Sequence, residues 1–251
     1  MDKVVVSFSG GLDSTILLYK MVRDYGVENV YALSFFYNQR HNIELLQAKR
    51  TTKTLKVSHT IIDISFLGAM VAGVSSMVIG NIETPGFSEK DMPSSYVPFR
   101  NGILTMISAS FAESIGANII ALGLNMDQPD EEIIKYRYWD ITPKFFEAMS
   151  AVLKLNTTHP LQFIAPFLLL SKVEEIQLGQ ELKVPYKDTF TCYNPLIEEY
   201  GTTYEPESAG GYNRHITHRY TPCGVCPSCF ERAESFRKVG LTDPILEGVI
   251  A

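Results

Sequence analysis

The first half of the chain alternates between two hydrophobic rhythms. Lys3 to Phe8 (KVVVSF) is a short β-branched run of the kind that fills a strand buried on both faces. A glycine-rich turn follows, then a helical stretch from Ser14 to about Tyr25 that Gly26 stops. Asn29 to Phe36 reads as a second strand. His41 to Leu55 returns to helical spacing, with Leu45, Leu46, Ala48 and Leu55 available for a buried face. His59 to Ile64 (HTIIDI) is a third strand, Gly102 to Ile115 a helix ended by Gly116, and Asn118 to Leu124 a fourth strand. Residues 65–96 hold Gly, Ser, Met and Pro without a period and read as an irregular insertion. Strands and helices alternating over short connections predict an α/β domain: a parallel twisted sheet with helices on both faces. Ligands in such sheets sit beyond the carboxyl ends of the strands.

The second half is less regular. Phe145 to Leu155 has helical character, and Ser171-Lys172-Val173-Glu174 forms a capping box opening a helix to about Leu182. Tyr193 to Pro222 is rich in Tyr, Gly, Pro and Glu, and so long a loop is expected to be a lid, an interface element or a partly disordered segment. The pattern divides the chain into an α/β domain over residues 1–185 and a helical and loop extension over residues 186–251. No internal repeat or low-complexity tract is present.

Composition narrows the function classes. The chain has 251 residues, 45% hydrophobic and 20% charged, with a mean hydropathy of +0.02, as expected of an ordinary globular protein. No stretch approaches the roughly 18 uninterrupted apolar residues of a membrane span, and Met1-Asp2-Lys3 leads directly into a strand-like run, so the protein is expected to be cytoplasmic. The formal net charge is −6 and no run of Lys or Arg occurs, which disfavours a polynucleotide held by its phosphates and favours a small-molecule substrate.

Cys192, Cys223, Cys226 and Cys229 all lie in the last quarter, three of them as C-x-x-C-x-x-C. In a reducing compartment that is metal spacing. The spacing alone leaves open zinc, an iron–sulfur cluster and redox catalysis. His215 and His218 fall between the first cysteine and the rest, as exposed loop histidines or substitute ligands.

Ser9-Gly10-Gly11-Leu12-Asp13-Ser14 joins the first strand to the first helix. Paired glycines let backbone N–H groups curl around an anion, and the helix N-terminus adds partial positive charge. No Lys follows the glycines and no third glycine completes a dinucleotide fingerprint. In isolation such a string is a tight strand-to-helix turn with Asp13 and Ser14 as caps. At the first strand–helix junction it resembles the PP-loop (SGGxDS) of the ATP pyrophosphatases, which cleave ATP between its α and β phosphates and adenylate a substrate. The ATP-binding set is then Phe8, Ser9, Gly10, Gly11, Leu12, Asp13, Ser14 and Thr15.

Further strings follow in order: Ser34-Phe-Phe-Tyr-Asn-Gln39-Arg-His41 with Glu44 and Ala48; Tyr96-Val-Pro-Phe-Arg100-Asn101; Gly123-Leu-Asn-Met-Asp127; Ala165-Pro-Phe with Ser171, Lys172 and Glu174; Thr189-Phe-Thr-Cys192-Tyr; and Cys223-Gly-Val-Cys226-Pro-Ser-Cys229 with Arg232. Together they resemble the 7-cyano-7-deazaguanine synthase (QueC) family over nearly the whole chain. That resemblance implies ATP-dependent conversion of 7-carboxy-7-deazaguanine and ammonia to the nitrile, through adenylated intermediates and an amide. It also implies a four-cysteine structural zinc site and a homodimer.

On this reading Asp13 helps hold Mg²⁺, Lys172 is a second cation for the phosphates, and Arg100 binds a phosphate or the substrate carboxylate bidentately. The bland alternatives are a solvated lysine, a surface ion pair for Arg100 and a structural His41. Gln39 and His41 follow a strand end, where site residues gather. Tyr138-Trp-Asp140-Ile-Thr-Pro143-Lys-Phe145 resembles the family's substrate-binding string, Tyr-Pro-Asp-Cys-Arg-Pro-Glu-Phe, and places a substrate segment over residues 125–147. Asp140, Pro143 and Phe145 match it, whereas Ile141, Thr142 and Lys144 depart from it. Substrate contacts are expected from Gln39, His41, Arg100, Asn101, Asp127, Tyr138 and Asp140, with Asp127 or Asp140 pairing with the N–H edge of a guanine-like base. The metal set is Cys192, Cys223, Cys226 and Cys229. The separation of Cys192 from Cys223 exceeds the family's usual handful of residues. Rival readings are a specialised homologue that stops at the amide or joins the carboxylate to another amine, a PP-loop tRNA thiolase, and a non-catalytic zinc module.

Overall fold

The computed structural model describes residues 2–39, 43–78, 94–126, 138–206 and 212–247. β1 (Val4–Ser7), α1 (Leu12–Tyr25), β2 (Val30–Phe36), α2 (Ile43–Leu55), β3 (Ser58–Asp63), α3 (Ser65–Val71), α4 (Arg100–Ser114) and β4 (Ile119–Ala121) follow one another. Then come α5 (Pro143–Lys154), β5 (Gln162–Ile164), α6 (Lys172–Glu181), β6 (Leu196–Pro206), β7 (Tyr212–Thr221) and α7 (Pro227–Lys238). The first five strands form one sheet in the order β3-β2-β1-β4-β5, all parallel, with Val4 level with Val30 on one side and Ile119 on the other. The strand order reverses at β1. Connections leave β1 and β4 in opposite directions, and a crevice opens between their carboxyl ends.

Strand alternation divides β1 between two cores. Val5 faces Leu33, Ile120 and Leu122, covered by Leu67 and Val71 of α3, Ala109 and Ala112 of α4, and Phe145 and Leu153 of α5. Val4 and Val6 face Val30, Ala32 and Ile119, covered by Ile16 and Leu17 of α1, Ala48 of α2, Ile176 of α6 and Phe236 of α7. Helices therefore lie on both faces, and all three valines have no exposed surface. Burying each contributes on the order of 1.5–3 kcal/mol. That rigid central strand aims the loop that follows it.

Three segments differ from the pattern reading. Ser65–Val71, inside the expected irregular insertion, is helical, with Leu67 and Val71 inward; one apolar pair over two turns is too short a stretch to show a period. Gln162–Ile164 is a fifth strand at the sheet edge, and only Phe163 of it is buried. Within the segment expected to be a lid, an interface element or partly disordered, Leu196–Pro206 and Tyr212–Thr221 form an antiparallel strand pair with a bulge between Glu199 and Gly201, where the pattern marks no strand. Leu196 and Ile197 stay exposed, so the hydrophobic alternation that marks a half-buried strand is missing there. What the sequence does contain is opposite charge across the strands, Glu198 standing opposite Arg219.

Among the described residues no helix is long and apolar enough to cross a membrane.

Candidate active site

The phosphate loop leaves β1 at Ser7 and enters α1 at Leu12. Gly10 takes φ +90, and a Cβ there would stand 2.2 Å from the Glu44 carbonyl oxygen and 2.7 Å from the Ala48 nitrogen of α2. Only glycine fits so close a backbone crossing. The Ser14 hydroxyl fills the loop's centre. Ser9 N–H and Gly10 N–H each donate to Ser14 Oγ at 3.2 Å, and Ser14 Oγ donates to the Gly11 carbonyl at 3.2 Å. Gly11 N–H donates to Ser9 Oγ at 3.1 Å. Helix α1 has no side-chain cap at Gly11, so its first-turn N–H groups face the crevice as anion donors. Phe8 and Leu12 anchor the loop in the core, and Thr15 Oγ1 donates to the Gly11 carbonyl at 2.8 Å.

Lys172 is brought to this loop by α6. Its capping box is formed: Ser171 Oγ accepts from Glu174 N–H at 3.2 Å and Ser171 N–H donates to Glu174 Oε2 at 2.8 Å. That cap turns buried Lys172 toward Asp13 Oδ1 at 2.8 Å and Glu175 Oε2 at 3.0 Å. Burial works against the ammonium charge, but Asp13, Glu175 and Glu231 outweigh it and hold Lys172 above the ordinary lysine value. Glu175 is wholly buried, and burial, with Asp13 beside it, raises its carboxyl despite Lys172. Asn125, just past β4, donates through Nδ2 to Glu175 Oε2 at 2.8 Å and to the Leu170 carbonyl at 3.2 Å.

Glu44 lies on the other side of the loop, its carboxyl 3.6 Å from where a Cβ on Gly11 would stand. Burial pushes Glu44 up to about 8, against the pull of Arg100 and a hydrogen bond with Ser9, and with a further push from Asp13. The folded pKa therefore lies above the unfolded value of 4.5. The folded state binds the extra proton between those values, so this contribution to stability is complete below about 4.5 and lost as pH rises through about 8. Thermal melts from pH 5 to 8 should show stability falling with pH, and Glu44→Gln should flatten that slope. An unchanged slope would remove Glu44 as its source.

Arg100 opens α4 and donates through Nη1 to the Tyr37 hydroxyl at 3.4 Å. Burial disfavours its charge, yet Tyr37, Asp140 and Tyr193 around it more than compensate and keep it firmly charged. Phe99, before it, has φ 54 and supplies no side-chain cap. Asp140 takes that place, accepting the Asn101 N–H at 3.2 Å, while Asn101 Nδ2 donates to the Asp140 carbonyl at 3.1 Å. Asp140 is thus buried against the start of α4, and burial raises its carboxyl despite Asn101 and Arg100. Tyr138 hydrogen-bonds Ser95 through its hydroxyl. Gln39 is buried with its amide spent on its own turn, accepting from Tyr37 N–H at 2.8 Å and donating to the Phe35 carbonyl at 3.0 Å. His41 and Asp127 lie outside the described residues.

The four cysteines converge. Their sulfurs lie within 4.8 Å of one another, and none is in a disulfide. Tetrahedral zinc thiolate bonds of about 2.3 Å ask for sulfurs roughly 4 Å apart. Cys223 N–H donates to Cys192 Sγ at 3.2 Å and Cys226 N–H to Cys223 Sγ at 3.3 Å, which ties these three cysteines together. The donor set fits a closed, four-coordinate metal. His218 is exposed on β7 rather than a member of the cluster.

This cluster also braces the phosphate loop. Phe190, Cys192, Cys226 and Cys229 pack with Ile43, the first residue of α2, and Phe190 N–H donates to the Gly10 carbonyl at 3.4 Å. Arg232 of α7 ties the same segment down. It donates to Asp243 at 2.7 and 3.0 Å, to Thr189 Oγ1 at 2.8 Å and to the Tyr186 carbonyl at 3.2 Å, all buried or nearly so. Arg232→Met should cost about 3–5 kcal/mol in urea unfolding, chiefly by stranding Asp243; a loss below about 1 kcal/mol would mean the clamp is dispensable.

Pattern reading brought together the loop, Lys172, Arg100 and the cysteines. It passed over Glu175, which reads as one of two solvated glutamates in a helix's first turn, and Asn125, which it quoted without a role. The signal for Glu175 was its spacing three residues after Lys172, next to that lysine on one helix face.

The family described as "Queuosine biosynthesis protein QueC" matches residues 3–240 of the chain. A 7-cyano-7-deazaguanine synthase of Marinomonas sp. is 33% identical over 97% of this chain and 97% of its own length. One from Hahella chejuensis is 35% identical over 97% of this chain and 92% of its own. The solved structure of an NMN synthetase from Francisella tularensis is 18% identical, covers 77% of this chain and 67% of its own, and superposes with a TM-score of 0.44.

Proposed function

The chain belongs to the QueC family of queuosine biosynthesis proteins, and from that membership we propose that it is an ATP-dependent ligase making 7-cyano-7-deazaguanine from 7-carboxy-7-deazaguanine and ammonia. The observation that carries the reading is the uncapped phosphate loop at the β1–β4 crevice, flanked by the Lys172–Asp13 pair and Arg100.

A carboxylate oxygen of the substrate attacks the α phosphorus of ATP and pyrophosphate leaves, drawn by the α1 N-terminus and Lys172. Ammonia adds to the acyl carbon, AMP departs with the C–O electron pair, and one ammonia proton goes to solvent, leaving the amide. The amide oxygen attacks the α phosphorus of a second ATP and pyrophosphate leaves; AMP then departs with the C–O electron pair as both N–H protons go to solvent, giving the nitrile. Adenylation is needed because a bare carboxylate oxygen is a very poor leaving group.

Within this scheme Arg100 takes a phosphate or the substrate carboxylate, with Gln39, His41, Asn101, Asp127, Tyr138 and Asp140 as the substrate side. Asn101 and Asp140 act through the first turn of α4, Tyr138 through Ser95 in the segment before it, and Gln39 through the turn after β2. Asp13 would hold Mg²⁺, which neutralises charge on the departing pyrophosphate. Zn²⁺ is the proposed ion of the cysteine site, in a structural role. Residues 1–185 form the catalytic domain and residues 186–251 the zinc-bearing extension of a cytoplasmic homodimer.

A mass-spectrometric product assay with 7-carboxy-7-deazaguanine, ammonium and Mg-ATP, with AMP followed in parallel, tests this. Nitrile formation is the expected result. Turnover ending at the amide would move the chain to a specialised role, and no ATP consumption would overturn the substrate.

A further inference from the structure

Two buried oxygens beside the phosphate loop lack a hydrogen-bond donor: Asn125 Oδ1 and Glu175 Oε1. Their sister atoms are joined, Asn125 Nδ2 donating to Glu175 Oε2 at 2.8 Å. The amide orientation is fixed by this bond and by its second donation, to the Leu170 carbonyl at 3.2 Å, because turning the amide over would set oxygen against oxygen at both. Buried acceptors in folded proteins are matched in the great majority of cases, and each exception calls for an explanation such as a bound water or ion. The surroundings select its charge. Asp13 and Glu231 both act on Lys172, and Asp13 also shares a side-chain hydrogen bond with the raised Glu175 carboxyl, so acid outweighs base here.

We propose that Asn125 Oδ1 and Glu175 Oε1 are the acceptors of an ammonium subsite on the flank of the phosphate loop. This rests on the reaction proposed above and assigns the binding place of its nitrogen substrate. Ammonium is the size of a water molecule, carries only donors and brings one positive charge, which matches an amide oxygen, a carboxylate oxygen and a surplus of negative charge. Water would meet the same two atoms and leave the charge uncompensated. Hydrated Mg²⁺ demands a near-octahedral shell that retains several waters, which two oxygens sealed from solvent do not offer. The location suits delivery: Asn125 lies two residues beyond Gly123, whose Cβ position is 3.6 Å from the backbone of Asp13 and Ser14. Glu175 also gives the ion somewhere to leave its proton. Ammonium passes H⁺ to the Glu175 carboxylate, giving neutral ammonia and the carboxylic acid, and the freed lone pair attacks the acyl carbon. Burial raises the Glu175 carboxyl, which brings proton acceptor and donor closer in strength.

Steady-state kinetics of nitrile or amide formation, with ammonium and ATP varied separately, tests the subsite. Asn125→Ala and Glu175→Gln should each raise KM for ammonium about tenfold or more, with KM for ATP moving less than about threefold. On the wild-type protein, rubidium chloride, a monocation of similar size with no proton to give, should inhibit competitively against ammonium and not against Mg-ATP. An unchanged KM for ammonium, a parallel rise in both constants, or rubidium competition against Mg-ATP overturns the subsite. Carboxylate-dependent exchange of pyrophosphate into ATP by the wild-type protein, run without ammonium, separates the two levels. If exchange is absent, the proposed reaction fails and the subsite with it; if exchange is present and ammonium KM does not move, the subsite alone fails.

Discussion

Gly10→Ala abolishes carboxylate-dependent ATP consumption and lowers the melting temperature sharply. The added methyl meets Glu44 O at 2.2 Å and Ala48 N at 2.7 Å, both backbone atoms of α2, and neither can rotate aside. The residue also sits at φ +90, where an L side chain is strained by about 1–3 kcal/mol. Relief requires the loop and α2 to part. That separation breaks the Ser14-centred hydrogen bonds and moves the first-turn N–H groups of α1. A total cost on the order of 4 kcal/mol, read from urea unfolding, is expected from strain plus overpacking. Gly73→Ala is the comparison, since it too has positive φ but meets nothing within 4 Å. Its backbone strain should appear in stability without touching ATP turnover. Equal activity losses in both would show that Gly10 matters only for folding.

Loss of one thiolate from the cysteine cluster is the second large effect. Cys226→Ala should empty the metal site, seen as loss of the bound metal by atomic emission, and destabilise the fold by on the order of 5 kcal/mol, because metal binding free energy is folding free energy. It should also weaken ATP binding. The cluster packs on Ile43 at the start of α2 and, through Phe190, on Gly10. A slow chelator applied to the intact protein should reproduce the drop in ATP affinity before global unfolding, followed by equilibrium binding of a fluorescent ATP analogue. Retained ATP affinity after complete metal loss would show that the brace does not reach the loop.

What the sequence reveals of this architecture follows from how locally each feature is encoded. β1 is a run of three valines with no polar interruption, and its burial on both faces could be read directly. The capping box at Ser171 is a four-residue code, and it forms as written. β6 and β7 escaped because what holds them is pairing across the strands, with Glu198 opposite Arg219, and such pairing leaves no rhythm along one strand. Glu175 escaped for a different reason. Buried and exposed glutamates look alike until a helix turns one toward a partner, and here Glu174 caps α6 while its neighbour enters the interior. Asp140 is legible only in part: the sequence marks its carboxylate for the substrate side, and the fold adds a bond from the Asn101 N–H that no local code announces. Local codes are legible, whereas roles assigned by long-range contact are not.

Gly10 and Phe190 touch across most of the chain's length. A ribosome makes the phosphate loop well before the bracing segment, which follows roughly ten seconds or more later at about 5–20 residues per second. Until then α1 and β1 exist without the wall that closes their loop. A nascent or truncated chain without that segment consequently lacks the contact that closes the loop at Gly10.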